Sequence, residues 1–90
     1  MYEEIAVRLE LTPEQLERES LQLFLSHRLR LVESQLLSLA RKYGVTTVTD
    51  LDALVTSGKL HEAEAFEDYF QFDHLEAERD TLADALKELA

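Results

Sequence analysis

The chain of 90 residues contains no cysteine and no tryptophan, one proline and two glycines. Without cysteine, neither a disulfide framework nor a thiolate zinc site can form. So few glycines and prolines give little of the punctuation that a strand-rich fold requires. No apolar run approaches the roughly 18 residues of a membrane span, and Met1-Tyr2-Glu3-Glu4 is unlike a signal peptide, so a cytoplasmic address is expected. Bases are scarce as well: nine Lys and Arg stand against nineteen Asp and Glu, a formal net charge of −10.

Hydrophobic residues make up 46% of the chain, which excludes a disordered segment. The length suits one domain, and a domain this small buries only about 60–65% of its unfolded surface. The charge is uneven. Residues 61–90 hold ten acids (Glu62, Glu64, Glu67, Asp68, Asp73, Glu76, Glu78, Asp80, Asp84 and Glu88) against Arg79 and Lys87. Such a surface repels nucleic-acid phosphates and anionic membranes and attracts a basic protein.

Thr12-Pro13-Glu14-Gln15 is the clearest local signal. Thr12 suits the N-cap, Pro13 the first helical position, and Gln15 can close a capping box. Nothing breaks the helix until Gly44, which suits a left-handed cap behind Arg41 and Lys42. A helix over 13–43 follows, about 46 Å long at 1.5 Å per residue. Leu25, Leu29, Val32, Leu36, Leu39 and Tyr43 are spaced 4-3-4-3-4, a coiled-coil-like seam that Leu21 extends backward. Leu23, Phe24, Leu31 and Leu37 point elsewhere, and a helix apolar on several faces is covered on more than one side.

Gly44-Val45-Thr46-Thr47-Val48 reads as a connection, and Thr49-Asp50-Leu51-Asp52 as a second N-cap. A short helix over about 50–56 is stopped by Ser57-Gly58. From 61 to 89 the composition is helical again. Ala65, Phe66, Tyr69, Phe70 and Phe72 line its first half, and Leu75, Leu82, Leu86 and Leu89 its second, with Arg79 at a seam position. On a straight helix the two stripes diverge by about 150°, so a bend near Phe72-Asp73 or two different partners is expected. In residues 1–11, Ile5, Val7, Leu9 and Leu11 alternate like a strand, while Tyr2, Ile5, Ala6 and Leu9 fit a helical face. A lone strand has no pairing partner in this chain, which favours a short helix.

The expected fold is all-α, a single domain. Helices over about 13–43 and 61–89 form a long antiparallel hairpin joined through the short helix. Two hairpins would pair as a homodimeric four-helix bundle, possible segment exchange included, because one hairpin leaves a long seam uncovered. Residues 26–42 are net basic and would lie along the acidic last helix.

Three chemical readings compete. Residues 5–15 have a helix-turn-helix rhythm, the basis of a DNA-binding alternative, but Glu10 stands where the turn usually has glycine. The would-be recognition helix presents Glu14, Glu17 and Glu19 beside a single Arg18, which makes direct nucleic-acid binding a poor fit. His61, Glu64, Glu67, Asp68, Gln71, His74 and Glu78 could share part of a face, the basis of a carboxylate-metal enzyme alternative. A di-iron bundle needs Glu-x-x-His, however, and the residue three before His74 is Gln71. His27 has no serine or cysteine placed to make it a general base, and no phosphate-cradling glycine loop exists.

The third reading is a protein-interaction surface. Phe66, Glu67, Asp68, Tyr69, Phe70, Phe72 and Asp73 place four aromatics among carboxylates, a pattern that serves either as a partner hot spot or as helix packing. Leu25, Leu29, Val32, Leu36, Leu39, Tyr43, Leu75, Leu82, Leu86 and Leu89 form the expected core and dimer seam. A non-catalytic module with no cofactor and no metal is therefore expected.

At Tyr43-Gly44-Val45, in residues 50–58, and at Glu67-Asp68-Tyr69-Phe70 with Asp73-His74-Leu75-Glu76, the chain resembles small acidic helical proteins of bacteria and archaea. Most of those are uncharacterised, and some are similar to antitoxin halves of toxin–antitoxin pairs. The resemblance implies an acidic helical partner that masks a basic protein.

Overall fold

The computed structural model describes all 90 residues as four helices and no strand. They are α1 (Tyr2–Arg8), α2 (Pro13–Tyr43), α3 (Val48–Thr56) and α4 (Glu62–Leu89). The all-α class and the long hairpin are as expected. The ambiguous N-terminus is a helix.

Local chemistry sets each boundary. At Thr12 the capping box closes in both directions: Gln15 N–H donates to Thr12 Oγ1 at 3.1 Å, and Thr12 N–H to Gln15 Oε1 at 2.8 Å. α2 ends at Gly44, whose φ of 66° lets the Val45 N–H reach the Ala40 carbonyl at 3.0 Å. The same stop follows α1 and α3. Leu11 N–H donates to the Ala6 carbonyl around Glu10, and Lys59 N–H to the Leu54 carbonyl around Gly58. Gly44 and Gly58 take the left-handed conformation freely, but Glu10 takes it with a side chain, at φ 59°.

The start of α3 corrects the expected cap. Thr47, not Thr49, is the N-cap, and Asp50, not Asp52, closes the box at 3.2 and 3.3 Å. Both pairs satisfy the same sequence pattern. The decision comes from α4, where Glu76 Oε2 accepts the otherwise unpaired Val48 N–H at 3.0 Å.

α2 and α4 pack antiparallel, with α3 bracing the first third of α4 at the closed end. The core is Val32, Leu36, Leu39, Leu51, Ala65, Phe72, Leu75 and Leu82, flanked by the half-buried Leu25, Leu29, Tyr43, Val55 and Tyr69. The α2 seam is thus covered by the chain's own α4. Leu86 and Leu89 are also half-buried. α4 runs as one continuous helix, so the expected divergence of its stripes has another explanation. Ala65, Tyr69 and Phe72 turn inward toward α2 and α3, in line with Leu75 and Leu82, and only Phe66 and Phe70 turn out.

The hairpin is long and thin, 61 × 19 × 16 Å. No helix is long and apolar enough to cross a membrane.

Candidate functional site

Charge complements packing along the hairpin. The Arg28 guanidinium meets Glu78 at 2.6 Å and the Lys42 ammonium meets Asp68 at 2.6 Å, so the basic part of α2 lies against acids of α4. Tyr43 donates its hydroxyl to the same Asp68 oxygen at 2.5 Å. Hydrogen bonds from Lys42 and then Tyr43 hold the Asp68 carboxyl below its ordinary value of 3.8.

The seven residues expected to form an acidic aromatic surface therefore divide. Phe72 has no exposed surface, and Tyr69 is half-buried against the core. Asp68 is engaged with α2. Phe66, Glu67, Phe70 and Asp73 remain on the outside, with Phe66 53% and Phe70 57% exposed. The expectation is corrected at Phe72 and Asp68: one is core, and the other is an internal tie. The physical reason is helical phase, since Asp68 and Phe72 project toward α2 while Phe66, Phe70 and Asp73 project away from it.

What sequence reasoning missed is the cleft beside these rings. Between α3 and α4 lies a cavity of about 180 Å³ lined by Asp52, Val55, Glu62, Ala65, Phe66, Tyr69 and Phe70. Phe66 and Phe70 meet edge to face, their centroids 4.9 Å apart at 78°, and Phe70 meets Tyr69 similarly at 5.8 Å and 87°. This aromatic wall has a carboxylate on either helix, Asp52 on α3 and Glu62 on α4. An ammonium or guanidinium can stack on the ring faces while Asp52 and Glu62 supply acceptors. Asp52 was visible as a helix-cap acid only. Its place opposite Glu62 depends on the α3–α4 packing.

The histidine and carboxylate group weighed as a metal site does not converge. His74 Nε2 and Glu78 Oε2 stand 4.0 Å apart on consecutive turns, Glu78 is paired with Arg28, and Asp68 faces α2. No group of three or more His, Asp or Glu side chains shares a point that could hold a metal ion. Glu14, Glu17 and Glu19, on the would-be recognition helix, are exposed carboxylates.

The fold and the cleft define a small helical-hairpin protein with an acidic aromatic face. The chain belongs to the uncharacterized protein MJ0235 family, whose model matches residues 1–90. Comparison with curated proteins and with solved structures gives no match.

Proposed function

We propose that this protein is a non-catalytic interaction module, a helical homodimer that captures a basic partner protein on the outer face of α4, in the manner of an antitoxin-like neutraliser. The observation that carries the reading is the carboxylate-flanked cleft of Phe66, Tyr69 and Phe70 between α3 and α4. Aromatic and arginine anchors in pockets dominate protein interfaces, and a cleft with this lining selects arginine over an apolar side chain. The long-range field acts in the same direction. Ten acids in residues 61–90 attract a basic chain before contact and make the encounter sensitive to salt.

The test uses an arginine-rich peptide as probe, titrated by fluorescence anisotropy at low and at physiological salt. Phe66→Ala, Phe70→Ala and Glu62→Lys are each expected to weaken binding about tenfold, equivalent to about 1.4 kcal/mol. Binding is expected to fall as salt rises. Unchanged affinity in all three variants would remove the cleft from the interface. Affinity capture from the native host at low salt, with stoichiometric partners identified by mass spectrometry, then asks whether a basic protein occupies the face in the cell.

A further inference from the structure

The core of the hairpin is off-centre. Its buried members run from Val32 to Leu82, whereas nine of the twelve large exposed apolar side chains lie in residues 1–31. The overall dimensions agree. A compact monomer of this mass would expose about 5,400 Å², whereas this chain exposes 6832 Å². The excess, about 1,400 Å², exceeds the roughly 800 Å² that each partner contributes to a standard interface. The radius of gyration is 18.8 Å, where a compact chain of this length has about 12 Å.

On α2, Ser20, Phe24, His27 and Leu31 lie on one exposed face at spacings of 4, 3 and 4, behind the half-buried Leu16 and on the side turned away from Leu29, Val32 and Leu36. Leu23, 69% exposed, and Phe24, 63% exposed, sit at its middle. α1 lies at the same end of α2 and leaves Ile5, Val7 and Leu9 in solvent.

We propose that this outer face of α2 is the self-association surface and that its occupant is a second copy, docked antiparallel across a two-fold axis between Leu23 and Phe24. That register sets Leu16 against Leu31 and Ser20 against His27 of the other copy, places Leu23 and Phe24 at the axis, and brings Glu19 beside Arg30 of the other copy on one flank, each pair twice by symmetry. Residues 1–31 hold six acids and four bases, a near balance, while the α4 face concentrates acids and would repel its copy. The proposal rests on the homodimeric reading above but moves the contact away from the hairpin seam, and it leaves the α3–α4 cleft open for a partner.

Light scattering after size-exclusion chromatography, from about 1 to 200 µM, is the test. The wild-type chain is expected at twice its mass of 10.4 kDa. Phe24→Glu is expected to be monomeric with unchanged helicity by circular dichroism, because the ring is already exposed in the single chain. Glu19→Arg is expected to weaken the dimer at least tenfold, and Glu19→Arg with Arg30→Glu to restore it. That rescue is specific to the antiparallel register. A monomeric wild-type chain at 200 µM would overturn the proposal, and so would a dimer indifferent to Phe24→Glu or a charge swap without rescue. The same Phe24→Glu monomer, titrated with the arginine-rich peptide, separates the two readings. Retained peptide binding with a lost dimer supports both surfaces, whereas a wild-type dimer that fails to bind peptide removes the cleft reading alone.

Discussion

Asp68 Oδ2 accepts the Tyr43 hydroxyl at 2.5 Å and the Lys42 ammonium at 2.6 Å, so one oxygen ties the end of α2 to the beginning of α4. The contact lies next to the Gly44 stop, where the chain leaves α2, and Asp68 shares its face of α4 with the buried Phe72.

This tie has a defined pH dependence. Asp68 is held below its ordinary value by the Lys42 and Tyr43 hydrogen bonds, so its stabilisation is complete above about pH 4 and is lost as pH falls through the depressed value. Tyr43 is raised above 10.0 by burial and then by the Asp68 hydrogen bond, and Lys42 is raised above 10.5 by its hydrogen bond to Asp68. Their contributions are present at neutral pH and are lost as pH climbs from those ordinary values through the raised ones. The difference in melting temperature between wild type and Asp68→Asn is therefore expected to be constant near neutrality and to shrink at both extremes. Phenolate absorbance, with Tyr43→Phe as the subtraction, is expected to show Tyr43 titrating nearer 10.0 in Asp68→Asn. A difference in melting temperature that persists undiminished into acid would assign the Asp68 effect to packing instead.

Three helices end with the same six-residue hydrogen bond, and only α1 makes it without glycine. The left-handed conformation costs an L-residue about 1–2 kcal/mol, part of which glycine returns as chain entropy on folding. Glu10→Gly is expected to raise stability by about 0.5–1 kcal/mol. Gly44→Ala is expected to lower it by about 1 kcal/mol through the backbone alone, because a Cβ there meets nothing within 4 Å. Urea unfolding monitored by circular dichroism reads both, and a neutral or destabilising Glu10→Gly would contradict the account of the α1 stop.

The cap of α3 separates two threonines that look alike in sequence. Thr47→Ala removes the acceptor of the Asp50 N–H and is expected to cost about 1 kcal/mol. Thr49 lies inside the first turn, exposed, so Thr49→Ala is expected to stay within about 0.5 kcal/mol. The same urea experiment compares them, and a larger loss at Thr49 would move the helix start back to the position its spacing first suggested.

These cases show which links the sequence carries by itself. The limits of α2 were legible because Thr12, Pro13, Gln15 and Gly44 act on their immediate neighbours. The start of α3 was ambiguous because Thr47-x-x-Asp50 and Thr49-x-x-Asp52 are locally equivalent, and the arbiter is Glu76, 28 residues beyond Val48. The aromatic cluster was legible as a cluster. Which rings face outward was not, since Asp68 and Phe72 are oriented by contacts with α2 and α3. The seam from Leu25 to Tyr43 packs on α4 of the same chain, whereas its spacing alone would be satisfied by any long apolar face.

Phe66 and Phe72 put the division between core and surface to a direct test. Phe72 is fully buried, one of only nine buried residues, whereas Phe66 keeps about half its area in water. Phe72→Ala is expected to cost about 3–5 kcal/mol. Native domains hold only about 5–15 kcal/mol in all, and in a core this small that loss brings the chain close to unfolding. Phe66→Ala forfeits the edge contact with Phe70 and part of one buried face, about 1 kcal/mol. Thermal melts are therefore expected to separate the two variants widely, with Phe66→Ala close to wild type. Peptide binding should rank the folded variants the other way, because Phe66 lines the cleft and Phe72 does not. If Phe66→Ala melted as early as Phe72→Ala, the outward ring would be part of the stabilising core, and the α3–α4 cleft would lose the exposed wall on which the proposed recognition of a cationic side chain depends.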